Sequence, residues 1–205
     1  MGRPREFDID SALDKAMQVF WSKGYDATSL DDLCEATGLG RSSMYAAFVD
    51  KRQIYLRVLQ RYEGRAVARV TRALAGDTPI RDAMAAFLRE VIDSIAHGTG
   101  RRGCLIGNSA AGLNTEDREV AEVVRHSLDQ HEAAFYAALE RAQQRGEIAA
   151  GEDIRALARF ITAAFHGLRI FGKVPREKAA LEDVAAIMLR CIAQSMKQDF
   201  STDRR

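Results

Sequence analysis

Ser29-Leu30-Asp31-Asp32-Leu33-Cys34-Glu35-Ala36-Thr37-Gly38-Leu39-Gly40-Arg41-Ser42-Ser43-Met44-Tyr45-Ala46-Ala47-Phe48 is the stretch that decides how this chain folds. Leu33, Thr37, Leu39, Met44 and Ala47 fall where two short crossing helices need inward side chains, and Cys34 falls where only a small one fits. Gly38 permits a left-handed turn between them. Arg41, Ser42, Ser43 and Ala46 are left outward on the second helix, short or basic groups able to approach base edges and phosphates. That spacing is the helix-turn-helix, whose second helix enters a DNA major groove. Thr28 reads as the N-cap of the first helix, with Asp31 completing a shortened capping box.

Helical periodicity continues on both sides. Upstream, Ile9, Leu13, Ala16, Met17 and Phe20 share one face and Gly24 ends the helix. Downstream, long helices are expected over 51–75, from Pro79 through Ile95, and over 117–145, 153–171 and 177–197, with a short one at 104–112. The fold class is therefore all-α. A three-helix DNA-binding domain over 1–65, with its helix-turn-helix at 29–48, precedes a helical bundle over 66–205. The 205 residues are 47% hydrophobic and 29% charged, enough for a sizeable core. The longest run without a charge, 103–115, is too short to span a bilayer. No apolar signal segment follows Met1, and three scattered cysteines form no disulfide framework. A cytoplasmic location is expected.

The net charge of +1 is unevenly spread. Residues 6–37 carry eight acids against two lysines, whereas 38–65 carry Arg41, Lys51, Arg52, Arg57, Arg61 and Arg65 against Asp50 and Glu63. With Arg3 and Arg5 in the N-terminal tail, this segment is the expected footprint of a phosphate-binding surface.

Residues 1–65 closely resemble the N-terminal domain of the tetracycline-repressor (TetR) family of transcriptional regulators. The resemblance rests on 12–20, on Gly24-Tyr25-Asp26-Ala27-Thr28-Ser29-Leu30, and on Gly38 through Phe48 closed by Asp50-Lys51. It implies that Tyr45 and Lys51 bind DNA phosphates and that Thr28 caps the second helix beside one. Arg41, Ser42 and Ser43 match the base-reading positions. Gly40 departs from the family pattern, standing where a serine is usual, so a capping hydroxyl is lost. The resemblance also implies a homodimer built on the last two long helices, through Ala156, Leu157, Phe160, Ile161, Ala164, Phe165, Leu168, Val184, Ile187, Met188 and Cys191. Double-stranded operator DNA is the expected partner, with no membrane involved.

Such a regulator needs an input. Phe87, Ile95, Leu105, Phe135, Tyr136, Phe165 and His166 are candidates to line a small-molecule pocket, although residues at helical spacing are more often ordinary core than ligand contacts. His166, in an apolar run, reads first as a hydrogen-bonded core histidine. Cys104 follows Arg101-Arg102-Gly103 near a helix start, where cations and the helix terminus would favour a reactive thiolate. Packing under its loop as a small apolar residue is the favoured reading. The input is expected to swing the first domain through the long fourth helix. His97, His126, His131 and His166 offer no i, i+4 metal pair, and no catalytic motif is present. No metal, cofactor or catalytic residue is expected. The chain reads as a homodimeric repressor relieved by a small-molecule or thiol-reactive inducer, with activation left open. A helical-bundle enzyme or a non-DNA interaction protein is the alternative.

Overall fold

The computed structural model describes residues 8–98, 100–112 and 117–195. Arg3, Arg5 and the end of the last helix expected from sequence, residues 196–197, lie outside them. Nine helices follow in order among the described residues: α1 (Ile9–Lys23), α2 (Leu30–Thr37), α3 (Arg41–Phe48), α4 (Lys51–Ala73), α5 (Ile80–Ala96), α6 (Leu105–Ala111), α7 (Arg118–Gln144), α8 (Ile154–Phe171) and α9 (Lys178–Gln194). The chain is all-α, as its periodicity predicts. It forms two compact units, Met1–Ala66 with Cys104–Ser127, and Val67–Gly103 with Leu128–Arg205. Among the described residues, 104–112 and 117–127 group with the first unit.

In the first unit, α1 starts at Asp8, whose carboxylate accepts from the Asp10 N–H, and ends where Gly24 takes a positive φ of 81°. Its buried face is Ala12, Leu13, Ala16, Met17 and Phe20. It packs on α2, and α2 packs on α3. Below α3, α4 buries Ile54, Tyr55, Leu56, Val58 and Leu59. The Tyr55 ring meets Phe20 and Tyr25 at 4.9 and 4.8 Å between centroids. Its hydroxyl pairs with Ser109 Oγ at 2.7 Å, which ties α6 into this unit.

The second unit has its own core, contributed by Met84, Phe87, Leu88, Val91 and Ile95 of α5, Phe135 and Leu139 of α7, Ile161, Phe165 and Leu168 of α8, and Met188 of α9. Side chains of this size stabilise the fold by roughly 1.5–3 kcal/mol each when fully buried. α5 packs on α9, and α9 on α8. Gly172 ends α8 against α5: a Cβ there would sit 2.8 Å from the Ile95 side chain, so only glycine allows this approach.

Candidate nucleic-acid interface

The helix-turn-helix is held by a few decisive local interactions. Ser29, not Thr28, is the N-cap of α2: its hydroxyl accepts from the Asp32 N–H at 3.1 Å, and the Asp32 carboxylate accepts from the Ser29 N–H at 2.8 Å. The expectation of a Thr28–Asp31 box is corrected by one residue. Thr28 is 1% exposed and its hydroxyl donates to the Gly24 carbonyl at 2.6 Å, so it closes the α1–α2 turn from within. Lys23, with Ser29 assisting, holds the Asp32 carboxyl down at about 2. Gly38 adopts φ 76°, ψ 15°, the left-handed conformation expected of it.

α3 is divided by function. Met44 and Phe48 are buried at 1% and 2% exposure beside Leu33 at 0%. Arg41, Ser42, Tyr45 and Ala46 face solvent, and Ser43 is half-buried. Tyr45 is 52% exposed, a large aromatic left outside the core. Cys34 is half-buried rather than sealed in. Gly40 is the N-cap of α3 and supplies no side-chain bond, with open space where its Cβ would be. α3 ends at Val49, whose φ of 66° and ψ of −59° close a γ-turn through a 2.7 Å bond from the Asp50 N–H to the Phe48 carbonyl. A β-branched residue in that conformation is strained.

The basic segment is less naked than its composition implies. Arg41 is chelated by Asp31. Arg52 binds Asp117 and Glu119, while Arg61 and Arg65 share Asp14. Those two guanidiniums hold the Asp14 carboxyl well below the usual carboxylate range. Arg57 lies over the Phe48 ring at 5.5 Å. Lys51 donates to the Tyr25 and Thr28 carbonyls at 2.9 and 2.8 Å and sits 4.3 Å from the Tyr25 ring centroid. It clamps the start of α4 to the α1–α2 turn and retains one of its three N–H donors.

The expected pocket residues separate into two groups. Phe87, Phe135, Phe165 and His166 meet in the second unit, with ring separations from Phe165 of 5.4, 5.8 and 5.6 Å. Ile95 lies in the same core, while Tyr136 is half-buried with Arg155 stacked over its ring. Cys104 and Leu105 belong to the first unit. Cys104 is 1% exposed and accepts a weak bond from the Tyr62 hydroxyl at 3.6 Å, so it is packed away from solvent, in keeping with the favoured reading of a small residue under its loop. His166 is 7% exposed, neither of its ring nitrogens has a hydrogen-bond partner, and burial with the charge of Arg169 pushes its pKa down to about 4. The hydrogen-bonded core histidine expected at this position is thus corrected.

A family model described as "Bacterial regulatory proteins, tetR family" matches residues 12–58, and one described as "Tetracyclin repressor-like, C-terminal domain" matches 81–188. The chain belongs to the TetR family. It is 34% identical over 187 residues to the HTH-type transcriptional repressor ComR of Escherichia coli (strain K12), covering 91% of this chain and 88% of that one. The uncharacterized HTH-type transcriptional regulator YezE of Bacillus subtilis (strain 168) is 32% identical over 191 residues, 92% of this chain and 98% of its own. A solved structure of the TetR-family regulator CifR, a cysteine mutant complexed with 26-bp double-strand operator DNA, matches with a TM-score of 0.82 at 31% identity over 92% and 98% of the two chains.

This TetR-family chain is a DNA-binding transcriptional regulator, not an enzyme, and no described helix is long and apolar enough to cross a membrane. No group of three or more metal-ligating side chains occurs among the described residues. Two buried contacts escaped sequence reading. His131 is 1% exposed and packs edge-on against His166 at 5.0 Å, a pairing across α7 and α8 that no spacing reveals. Glu63 is 7% exposed, with burial raising its pKa and His126 3.7 Å away, although its neighbours in sequence read as an ordinary helix face.

Proposed function

We propose that this TetR-family protein is a cytoplasmic homodimeric repressor that binds operator DNA through α3 and is released from it by an inducer. The division of α3 carries this reading: Met44 and Phe48 anchor the helix while Arg41, Ser42 and Tyr45 stand in solvent. Tyr45 and the remaining N–H of Lys51 serve phosphates. Arg41, Ser42 and Ser43 serve base edges, and Gly40 leaves the backbone at the start of α3 open to a phosphate. Thr28 supports the surface from within. The repressor ComR and the operator complex of CifR support the same role.

One protomer presents one recognition helix, and operator symmetry mirrors a protein two-fold axis. Phe160 of α8 and Ile187 of α9, 41% and 48% exposed, supply apolar surface for that contact. Leu157, Ile161, Phe165, Leu168 and Met188, expected in the same interface, fill the protomer's own core instead. The inducer enters among Phe87, Phe135, Phe165 and His166, where neutral imidazole nitrogens await a hydrogen bond. Coupling of about 1–3 kcal/mol between inducer and DNA changes affinity roughly 5–150-fold. A thiol-reactive inducer would have to reach the buried Cys104, and Cys104→Ser distinguishes that route.

Titrating labelled duplex from the region flanking the protein's own gene tests the reading. A saturable complex of two protomers, at least a thousandfold tighter than random duplex at the same salt, is expected. Equal affinity for both duplexes would contradict it.

A further inference from the structure

The base-reading role of α3 proposed above raises a question about the carboxylate beside it. Asp31 lies in the first turn of α2 with its side chain 69% exposed. A free negative charge at that position repels DNA phosphates. Its partner is Arg41, the first residue of α3. Arg41 Nε donates to Asp31 Oδ1 at 3.0 Å, and Nη2 donates to Oδ1 and Oδ2, both at 2.7 Å. The carboxylate therefore occupies the Nε–Nη2 edge of the guanidinium. Nε and Nη2 carry these three bonds, so of five N–H donors the two of Nη1 are left over.

Those two donors suit a pair of neighbouring acceptors and not an acceptor beside a donor. In the major groove guanine offers this pair, O6 and N7, whereas adenine offers an acceptor beside a donor. We propose that Asp31 is a specificity-determining positioning residue, which holds one edge of Arg41 so that its other end meets a guanine. An arginine already fixed in one orientation loses less freedom on binding. Asp31 also cancels part of the charge that would otherwise let Arg41 settle on any phosphate. The pair is exposed, 63% and 69%, and contributes little to folding, so its removal leaves a folded protein.

The test uses the full chain and duplexes that the unaltered protein selects from a randomised pool. Asp31→Ala, Asp31→Glu, Arg41→Ala and the double variant are each titrated against the selected duplex, its single base-pair substitutions and a random duplex. Melting curves establish that each variant is folded. The unaltered protein should prefer guanine at one symmetric pair of positions. Asp31→Ala should cut that preference by about tenfold or more while random duplex binds as tightly or tighter. Asp31→Glu should retain part of the preference. In the Arg41→Ala background, Asp31→Ala should change base preference no further.

An undiminished guanine preference in Asp31→Ala overturns the proposal. So do additive losses in the double variant, or an equal loss on every duplex, which marks a merely structural part. If Arg41→Ala lowers the salt slope without altering base preference, Arg41 serves a phosphate and Asp31 positions nothing for a base. Should the unaltered protein select no consensus, the base-reading role of α3 itself fails, a result distinct from all of these.

Discussion

His166 sits among Phe165, His131 and the core of the second unit with no hydrogen-bond partner for either nitrogen. Burial holds its pKa in the folded chain at about 4, below the 6.5 of an ordinary imidazole. Above pH 6.5 the ring is neutral in both states and its effect on stability is flat. As pH falls from 6.5 towards 4, the unfolded chain takes up a proton that the native state refuses. Stability is then lost, by roughly 3 kcal/mol over the window. His166→Phe should flatten the acid side of a plot of Tm against pH; an identical slope would contradict the assignment. Tyr45 and Lys51, the two residues proposed to meet phosphates, should separate in a different way. Tyr45→Phe should weaken operator and random duplex alike without changing Tm, because Tyr45 is outside the core. Lys51→Ala should lower Tm as well, since it removes the clamp on Tyr25 and Thr28, and should reduce the salt slope by about one unit per protomer. A Lys51→Ala protein with an unchanged salt slope would take the lysine off the phosphate list.

At the level of elements, α3 shows what a sequence discloses. Met44, the glycine turn and the exposure of Arg41, Ser42 and Ala46 were legible because each depends on neighbours within a few positions, whereas Phe48 takes the buried place expected of Ala47 and Ser43 is half-buried. The cap of α2 was misplaced because Thr28 and Ser29 are adjacent hydroxyls, and the choice turns on a bond from Thr28 to Gly24. The end of α3 was not legible at all, since nothing about Val49 announces a positive φ. Its turn holds strain of about 1–3 kcal/mol. Val49→Gly should therefore raise Tm, as measured by calorimetry, and an unchanged or lower Tm would show the turn to be unstrained. α8 shows the opposite limit. Apolar periodicity cannot distinguish a face turned to its own core from one turned to a second copy, so Leu157 and Phe160 read alike although one is 8% and the other 41% exposed. Phe160→Glu should yield a monomer by light scattering at micromolar concentration with the helical content intact. A persisting dimer would move the interface elsewhere.

For the molecule as a whole, charge is the scale on which composition misleads most. The basic run from 38 to 65 is real, but Arg52, Arg61 and Arg65 are paired with acids from distant parts of the sequence. Sequence counting sees the cations and not their partners. The same distance dependence hides the grouping of 104–112 and 117–127 with the first unit and the meeting of His131 with His166. The surface proposed for DNA is accordingly small: Arg41, Ser42, Ser43, Tyr45 and one donor of Lys51. Two such surfaces on a dimer should meet the major groove one helical turn, about 34 Å, or a multiple of it apart. Protection of guanine N7 from methylation across a selected duplex tests this most directly. The account predicts two symmetric patches of major-groove protection at that spacing, both lost in a protein carrying Arg41→Ala and Tyr45→Phe. A single patch, or protection that survives the double substitution, would contradict it.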